Sequence, residues 1–192
     1  VDNLKNQRLM TNLVKLDLYD NHNYKTKSFL IRVSWYFVST IFFSTLLIFP
    51  SSFKSSLLRS FGAKIGGNVI IKPNVNIKYP WNLTVGNNTW IGEGVWIDNL
   101  TDINIGSNVC LSQGAYLLTG SHDYKKKKFD LIIKKISLKD GVWIGAKAVV
   151  CPGVVCYSHS VLSVGSIATS DLDEYSIYQG NPALFKRKRA VM

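Results

Sequence analysis

The most regular feature of this chain is an aliphatic residue that recurs every six positions through its central part. The dipeptides Ile65-Gly66, Val85-Gly86 and Ile105-Gly106 lie 20 residues apart, and the aliphatic residues between them fall into the same alignment. After one interruption the spacing resumes at Leu138, Ile144, Val150, Cys156 and Leu162. A fixed period sustained over so many units indicates a repetitive architecture.

A second series of small or β-branched residues lies four positions after most of these aliphatic residues. Its members are Val69, Val75, Thr89, Val95, Val109, Ala115, Val142, Ala148, Val154, Ser160 and Ser166. Two inward positions in every six fit neither the 3.6 period of a helix nor the 2.0 period of a strand. They fit a short strand and a turn, repeated, so that three units close a triangular coil and stacked coils share one core. Glycine after the aliphatic residue suits a tight turn.

The N-terminal part lacks this repeat. Residues 1–28 are polar, and they predict neither a site nor a signal peptide. Residues 29–49 are apolar and aromatic, and the uncharged part is only just long enough to span a membrane. The favoured interpretation is a helix that lies on the inner membrane face or packs on the repeat, with a true span as the alternative. Residues 51–61 predict a short basic helix that Gly62 ends.

A lysine-rich insertion interrupts the repeat at residues 121–135. It carries six lysines and two aspartates, and the tail 186–189 adds four cations to a chain whose net charge is +11. Insertions from a rigid scaffold are usual places for binding residues. Lys125–Lys128 could hold a phosphate or an anionic saccharide, or could form a solvated loop tip. Nucleic-acid binding is not expected, because the basic clusters carry little interleaved aromatic surface.

Three histidines are candidates for acid–base chemistry. His22 lies in the polar N-terminal part, His159 lies in a turn of the repeat, and His122 lies where the repeat meets the insertion. Imidazole titrates close to neutral pH, so a histidine suits the task of a general base. His122 is the strongest candidate because it alone lies at the junction of repeat and insertion, with a structural role as the alternative. A zinc enzyme would need three converging imidazoles, so no metal is expected. The three cysteines form no C-x2-C metal-ligand pattern, and their odd count argues against a disulfide framework and fits a reducing cytoplasm.

The repeat, the segment Gly120-Ser-His-Asp-Tyr124 and the turn Gly180-Asn-Pro-Ala183 resemble the hexapeptide-repeat acyltransferases. Within that family they are similar to the colanic acid biosynthesis and galactoside or maltose types of sugar O-acetyltransferase. The resemblance implies an all-β, left-handed parallel β-helix, an exception to the usual right-handed crossover, and a homotrimer with active sites between subunits. The predicted parts are an N-terminal segment 1–62 with the apolar helix, a β-helix 63–169 with the inserted loop 121–135, and a C-terminal tail 170–192.

The resemblance implies an acetyl-CoA-dependent O-acetyltransferase, in the cytoplasm or at the inner face of the membrane. Its acceptor would be a sugar or lipid-linked saccharide from exopolysaccharide, capsule or lipopolysaccharide synthesis. Antibiotic acetyltransferases and serine acetyltransferases share the scaffold and are the alternatives. A non-catalytic scaffold is a further interpretation, opposed by the intact segment around His122.

By the same resemblance, His122 removes the proton of the acceptor hydroxyl as that hydroxyl attacks the thioester directly. Asp98 is the candidate to orient the imidazole, at about the place where galactoside acetyltransferases carry an acceptor-binding asparagine, and Asn99 is a candidate for that asparagine's role. Either side chain could instead accept hydrogen bonds from backbone amides of a turn. The other predicted acceptor contacts are Trp96, Asp123 and Tyr124, although Trp96 could simply pack and Asp123 could hold the loop.

The predicted acetyl-CoA contacts lie further along the chain. The resemblance gives the oxyanion to the backbone N–H of Ala146, which follows Gly145 in a Trp-Ile-Gly-Ala turn. The residues expected to line the coenzyme groove are Trp143, Val164 and Thr169. Lys186 and Arg187 are expected to meet the phosphates of the coenzyme, with a plain basic tail as the alternative.

Overall fold

Two α-helices precede the repetitive part of the chain. This computed structural model describes residues 13–191, so residues 1–12 and Met192 of the two predicted terminal segments lie outside the described residues. The helical elements are a short 3-10 helix at Leu16–Leu18, helix α1 at Phe29–Phe42 and helix α2 at Ser51–Ser60. Across the described part of the chain, no helix combines the length and the apolar character needed to cross a bilayer.

Helix α1 covers only the first part of the apolar stretch 29–49, and it packs on the first coil of the repeat. The Trp35 side chain is 3% exposed, and its Nε1 donates a hydrogen bond of 2.8 Å to the carbonyl oxygen of Ile77. Its ring also packs on that of Phe61, which follows α2. Trp35 therefore fixes α1 to the β-structure as a buried anchor.

From residue 64 the chain winds into a parallel β-helix with three faces. Face 1 contains β1 (Lys64–Ile65), β4 (Leu83–Val85), β7 (Ile103–Ile105), β12 (Ile136–Leu138) and β15 (Val155–Cys156). Face 2 contains β2 (Ile70–Ile71), β5 (Trp90–Ile91), β8 (Cys110–Leu111), β13 (Trp143–Ile144) and β16 (Val161–Leu162). Face 3 contains β3 (Asn76–Ile77), β6 (Trp96–Asp98), β9 (Tyr116–Leu118), β14 (Val149–Val150) and β17 (Ile167–Ala168). Neighbouring strands on each of these faces pair in parallel.

The core follows the six-residue period. Ile71, Ile91 and Leu111 are register partners on successive coils of face 2, and each is at most 2% exposed. The small residues Val95 and Ala115 are fully buried beside them. A large and a small inward residue in each unit together fill the triangular section, as expected of a close-packed core. The predicted stack of coils is confirmed.

The turns between faces depend on two residue types. Asn68, Asn88 and Asn108 occupy equivalent turns with φ of 54°, 54° and 56°, in the left-handed region that asparagine tolerates better than most residues. Gly86 is required for a different reason, because a Cβ there would lie 2.5 Å from the carbonyl carbon of Gly106 on the next coil. Glycine at this position allows the coils to stack at strand spacing.

The insertion and the tail are both antiparallel hairpins. Strands β10 (Gly120–His122) and β11 (Leu131–Ile133) form the first hairpin, which leaves the body after β9 and returns to it at β12. The predicted loop 121–135 is thus a two-stranded element with a lysine-rich tip. Strand β18 (Ser176–Gly180) continues face 2 beside β16, and β19 (Ala183–Lys188) folds back on it after the cis bond between Asn181 and Pro182.

Candidate active site

His122 ends strand β10 and is held in one orientation by its own hairpin. Its Nδ1 lies 2.8 Å from the carbonyl oxygen of Phe129, and the imidazole stacks on the Phe129 ring with centroids 4.4 Å apart and planes 8° apart. A carbonyl oxygen can only accept, so Nδ1 carries the proton of this hydrogen bond. In the neutral imidazole, Nε2 then keeps its lone pair. This is the protonation state that a general base needs.

The lysine-rich tip of the hairpin is stabilised by its acidic residues. The Asp123 carboxylate accepts a hydrogen bond of 3.2 Å from the backbone N–H of Lys125. Asp130 accepts one of 3.0 Å from the Lys126 ammonium. The Tyr124 side chain is 73% exposed. Asp123 therefore holds the loop in this structure, which is the second of the two roles considered for it.

Asp98 lies on face 3 and does not orient His122. Its Oδ1 lies 2.9 Å from the Lys78 ammonium, in an ion pair whose angles do not meet those of a hydrogen bond. Its Oδ2 lies 3.5 Å from the Tyr116 hydroxyl. Burial raises the pKa of the Tyr116 hydroxyl, and the Asp98 charge raises it further. Since the Phe129 carbonyl occupies Nδ1 of His122, the orienting group is a backbone atom and not the predicted carboxylate.

Asn99 and Trp96 have contrasting positions next to Asp98. Asn99 is fully buried, and its amide accepts from the Tyr79 N–H at 2.9 Å and donates to the Tyr79 carbonyl at 2.6 Å. The prediction that Asn99 contacts an acceptor is corrected, because no part of its side chain is exposed and both ends of its amide join two coils.

Trp96 is 48% exposed and packs against the Tyr116 ring. It remains available to a ligand.

The predicted oxyanion donor lies at the corner between faces 2 and 3, which we call the carrier edge (Gly145, Ala146 and Val164). A Cβ on Gly145 would lie 2.6 Å from the backbone nitrogen of Val164 on the next coil. Within residues 13–191, the Ala146 N–H donates no hydrogen bond, while its carbonyl accepts one of 2.9 Å from Gly165. The Ala146 amide is thus free to bind an anionic oxygen. The Val164 side chain is 68% exposed beside it.

The other predicted coenzyme contacts are spread over the molecule. Trp143 is 47% exposed on face 2, and its Nε1 donates to the Ser112 hydroxyl at 2.9 Å. Thr169 is exposed at the corner between faces 3 and 1, which also carries the base of the hairpin, and we call this corner the histidine edge. Lys186 and Arg187 are exposed on β19 at the C-terminal end of face 2. One chain therefore does not bring Thr169 to the carrier edge.

Known proteins are similar to this chain in sequence and in fold. No protein-family model matches the chain. It is 36% identical over 160 residues, 83% of this chain and 87% of the relative, to the provisionally named colanic acid biosynthesis acetyltransferase WcaF of Escherichia coli (strain K12). This chain belongs to the hexapeptide-repeat acetyltransferases. A galactoside O-acetyltransferase of the same organism is 30% identical over 132 residues, 67% of this chain and 65% of that protein. The predictions of the family and of an acyltransferase are confirmed.

Solved structures share the fold of this hexapeptide-repeat acetyltransferase. A hexapeptide-repeat acetyltransferase from Vibrio cholerae, in complex with acetyl-CoA, superimposes with a TM-score of 0.76 at 22% identity, over 84% of this chain and 88% of that one. A galactoside acetyltransferase in complex with coenzyme A gives a TM-score of 0.72 at 25% identity, over 83% and 80% of the two chains. The β-helix is left-handed, as predicted.

Sequence reasoning missed two contributors to the candidate site. The Phe129 carbonyl acts through a backbone atom, so no side-chain pattern could have indicated it. Tyr19 places its ring edge-on to the imidazole of His122, with centroids 5.5 Å apart, although the segment 1–28 predicted no site. The two tyrosines of that segment, Tyr19 and Tyr24, were the available signal. Residues 13–191 contain no cluster of three or more metal-ligating side chains.

Proposed function

We propose that this hexapeptide-repeat acetyltransferase transfers the acetyl group of acetyl-CoA to a sugar hydroxyl, with His122 as general base. The observation that carries the proposal is the hydrogen bond from His122 Nδ1 to the Phe129 carbonyl, which leaves Nε2 as the proton acceptor. The names of the relatives, a colanic acid biosynthesis acetyltransferase and a galactoside O-acetyltransferase, support a sugar as acceptor.

The reaction needs one proton transfer in each direction. Nε2 of His122 takes the proton of the acceptor hydroxyl as its oxygen attacks the thioester carbonyl carbon. The imidazolium that forms is stabilised by the Phe129 carbonyl dipole at Nδ1. Collapse of the tetrahedral intermediate breaks the carbon–sulfur bond and expels the thiolate of coenzyme A, which receives the proton from His122. The products are the acetyl ester and free coenzyme A.

The carrier edge supplies a hydrogen-bond donor for the oxyanion that forms when the thioester is attacked. The free Ala146 N–H is a donor for the tetrahedral oxyanion, and removing such a donor costs other enzymes roughly 100- to 1,000-fold in kcat. Gly145 lets the next coil stack closely on this turn, since a Cβ there would clash with the backbone of Val164. We assign Trp143, Val164 and Thr169 to the coenzyme groove, and Lys186 and Arg187 to its phosphates. Their exposure supports this assignment.

The separation of the two edges supports a site shared between subunits. In one chain the histidine edge and the carrier edge lie on opposite sides of face 3. A neighbouring chain that packs its carrier edge against the histidine edge would place Ala146 beside His122. We therefore propose a homotrimer with three such shared sites. A monomer mass in light scattering at micromolar concentration would contradict it.

The exposed side of α1 supports contact with an anionic membrane. Leu30, Phe37 and Ile41 lie opposite the buried Trp35 and are 75%, 59% and 54% exposed. No acidic residue occurs from residue 21 to residue 92, so only basic groups flank this stripe. We propose a cytoplasmic enzyme that meets a lipid-linked saccharide of exopolysaccharide, capsule or lipopolysaccharide synthesis at the membrane surface.

Vesicle flotation tests the membrane contact. The wild type should float with vesicles of phosphatidylcholine and phosphatidylglycerol, and less with phosphatidylcholine alone. Phe37→Ser together with Leu30→Ser should abolish flotation without loss of the far-UV circular dichroism signal. Equal recovery of wild type and variant with the anionic vesicles would disprove the contact.

Free-thiol release from acetyl-CoA tests the catalytic proposal, with a panel of sugars and lipid-linked saccharides as acceptors. His122→Ala should lower kcat by at least about 100-fold, the usual contribution of a general base. His159→Asn is the matched control, because His159 lies in the turn between faces 1 and 2, on neither edge, and asparagine tolerates its φ of 59°. Turnover with amino acids or antibiotics, but with no sugar, would instead favour the serine or antibiotic acetyltransferase alternatives.

A further inference from the structure

The N-terminal segment folds back over the hairpin that carries His122. The Lys15 N–H donates a hydrogen bond of 2.9 Å to the Lys127 carbonyl at the hairpin tip. The Tyr24 hydroxyl donates one of 2.6 Å to the Leu100 carbonyl on the body. Between these two attachments, Tyr19 lies edge-on to the imidazole of His122. The segment is thus fixed at both ends and contacts the catalytic side chain in the middle.

A cleft of about 450 Å³ lies between this segment and the hairpin. Residues 20–24 form one wall, and Lys128, Asp130, Leu131 and Ile133 form the other. Ligand sites are commonly about 300–1,000 Å³. The cleft therefore has room for a sugar ring or a short saccharide.

The strand register places this cleft on the His122 side of the hairpin. In the antiparallel pair, His122 lies opposite Leu131, and Gly120 lies opposite Ile133. Side chains of directly opposite residues point to the same face of a two-stranded sheet, and so do side chains two residues apart. The imidazole, Leu131 and Ile133 consequently share one face. A ligand that rests on Leu131 and Ile133 lies on the face from which the imidazole projects.

The chemistry of the walls, which carry both carboxylates and the Lys128 ammonium, fits a polyhydroxyl ligand. Asp20 and Asp130 are carboxylates on opposite walls, and Asn21 and Asn23 add amides that both donate and accept. His22 pairs with Asp20, and Lys126 pairs with Asp130, but an ionised carboxylate has about four acceptor sites, so each keeps capacity for a hydroxyl donor. Leu131 and Ile133 offer apolar surface to the C–H face of a sugar ring.

We propose that this cleft is the acceptor-binding site, which holds a sugar ring through Asp20, Asn23 and Asp130 with one hydroxyl directed toward His122. The inference rests on the proposed sugar O-acetyltransferase function. In this assignment the acceptor is bound by residues 20–24 and not by Asn99 or the hairpin tip. Tyr19, next to Asp20 in the chain, packs edge-on against the imidazole and acts as a positioning residue.

Steady-state kinetics of the full chain test this assignment, with methyl glucoside, methyl galactoside and N-acetylglucosamine as probes. Asp20→Asn and Asn23→Ala should each raise the acceptor KM by about tenfold, as expected for one lost hydrogen bond to a charged or polar partner. The KM for acetyl-CoA should not change. Asp17→Asn is the matched control, because Asp17 is an exposed carboxylate in the same segment outside the cleft. Unchanged thermal midpoints would exclude misfolding.

Two results would overturn the inference, and they are distinguishable. If the wild type acetylates a probe sugar and both cleft variants keep its KM within twofold, the acceptor lies elsewhere while the proposed function stands. If saturation-transfer NMR detects no binding of any probe sugar to the wild type, and acetyl-CoA is still hydrolysed slowly, the sugar acceptor itself is wrong.

Discussion

The Phe129 carbonyl oxygen lies 2.8 Å from Nδ1 of His122, and the two side-chain rings stack with planes 8° apart. Phe129 itself has φ of 52°, in the left-handed region that favours glycine. One residue thus supplies both the hydrogen-bond acceptor that selects the tautomer and the surface that fixes the ring plane.

Phe129→Gly should separate these two contributions. Glycine accommodates the positive φ and keeps the carbonyl, but it removes the stacked ring, so the imidazole gains rotational freedom. We expect kcat to fall roughly 10- to 100-fold, since small misplacements of a catalytic group are costly. Phe129→Tyr should retain activity. The ¹⁵N shifts of the His122 ring should show the Nδ1–H tautomer in both the wild type and Phe129→Gly, because both keep the carbonyl. Wild-type kcat in Phe129→Gly would contradict a positioning role for the ring.

Asp98→Asn should have a much smaller effect than loss of His122. Because Asp98 pairs with Lys78 and not with the imidazole, we expect kcat to fall less than about tenfold, against at least 100-fold for a missing base. The pKa of Tyr116 should decrease in the variant, because the Asp98 charge is one of the causes that raise it. Absorbance titration of tyrosine measures the second effect. A 100-fold loss of kcat would show that Asp98 orients His122 after all.

Gly86→Ala should be strongly destabilising. The new Cβ would lie 2.5 Å from backbone atoms of the next coil, and relieving that overlap requires the coils to separate. We expect a loss of about 2–3 kcal/mol in the free energy of unfolding, typical of overpacking at a rigid site. Gly67→Ala is the control, since the nearest atom to its Cβ would be 3.7 Å away. Urea unfolding of both variants tests the prediction, and equal stabilities would refute it.

Lys54 should make stability rise with pH in the alkaline range. The side chain is fully buried, with its ammonium bonded to the Lys72 carbonyl at 3.0 Å. Burial lowers its pKa below the usual 10.5, so between the lowered value and 10.5 the folded chain binds fewer protons than the unfolded chain. Unfolding free energy therefore increases with pH across that window.

As pH rises toward 10.5, the unfolding free energy of the wild type should therefore increase relative to that of Lys54→Met. Urea titrations at several pH values measure it, and groups common to both proteins cancel. Lys64→Met, at an exposed position, should show no such trend. A constant difference for Lys54→Met would mean that this ammonium is not desolvated.

Tyr24→Phe should loosen the N-terminal segment. The lost hydrogen bond to the Leu100 carbonyl is worth about 0.5–1.5 kcal/mol, so hydrogen exchange in residues 15–24 should accelerate. Burial raises the pKa of Tyr24 to about 12. The folded chain then holds this proton more tightly than the unfolded chain, so the stabilisation is complete below pH 10 and is lost as pH rises toward 12. Tyr36→Phe, at an exposed tyrosine, should leave exchange unchanged.

The sequence by itself determined the β-helix, its register and the place of His122. Each coil repeats the same inward aliphatic residue, so Ile65, Val85 and Ile105 had to stack once the period of 20 was recognised. His122 could be singled out because it stands where that period breaks. A local periodic pattern is enough to predict the coils, because the place of a residue in the six-residue unit determines whether its side chain points into the core or outward.

Only the tertiary structure decided what surrounds His122. The Phe129 carbonyl, the position of Tyr19 and the burial of Asn99 all arise from contacts between segments that share no period. Asp98 ends strand β6 and Asn99 directly follows it, yet Asn99 joins two coils from the inside and Asp98 pairs with Lys78. Sequence spacing cannot separate them, because side-chain direction at a turn depends on which neighbouring backbone groups remain without hydrogen bonds.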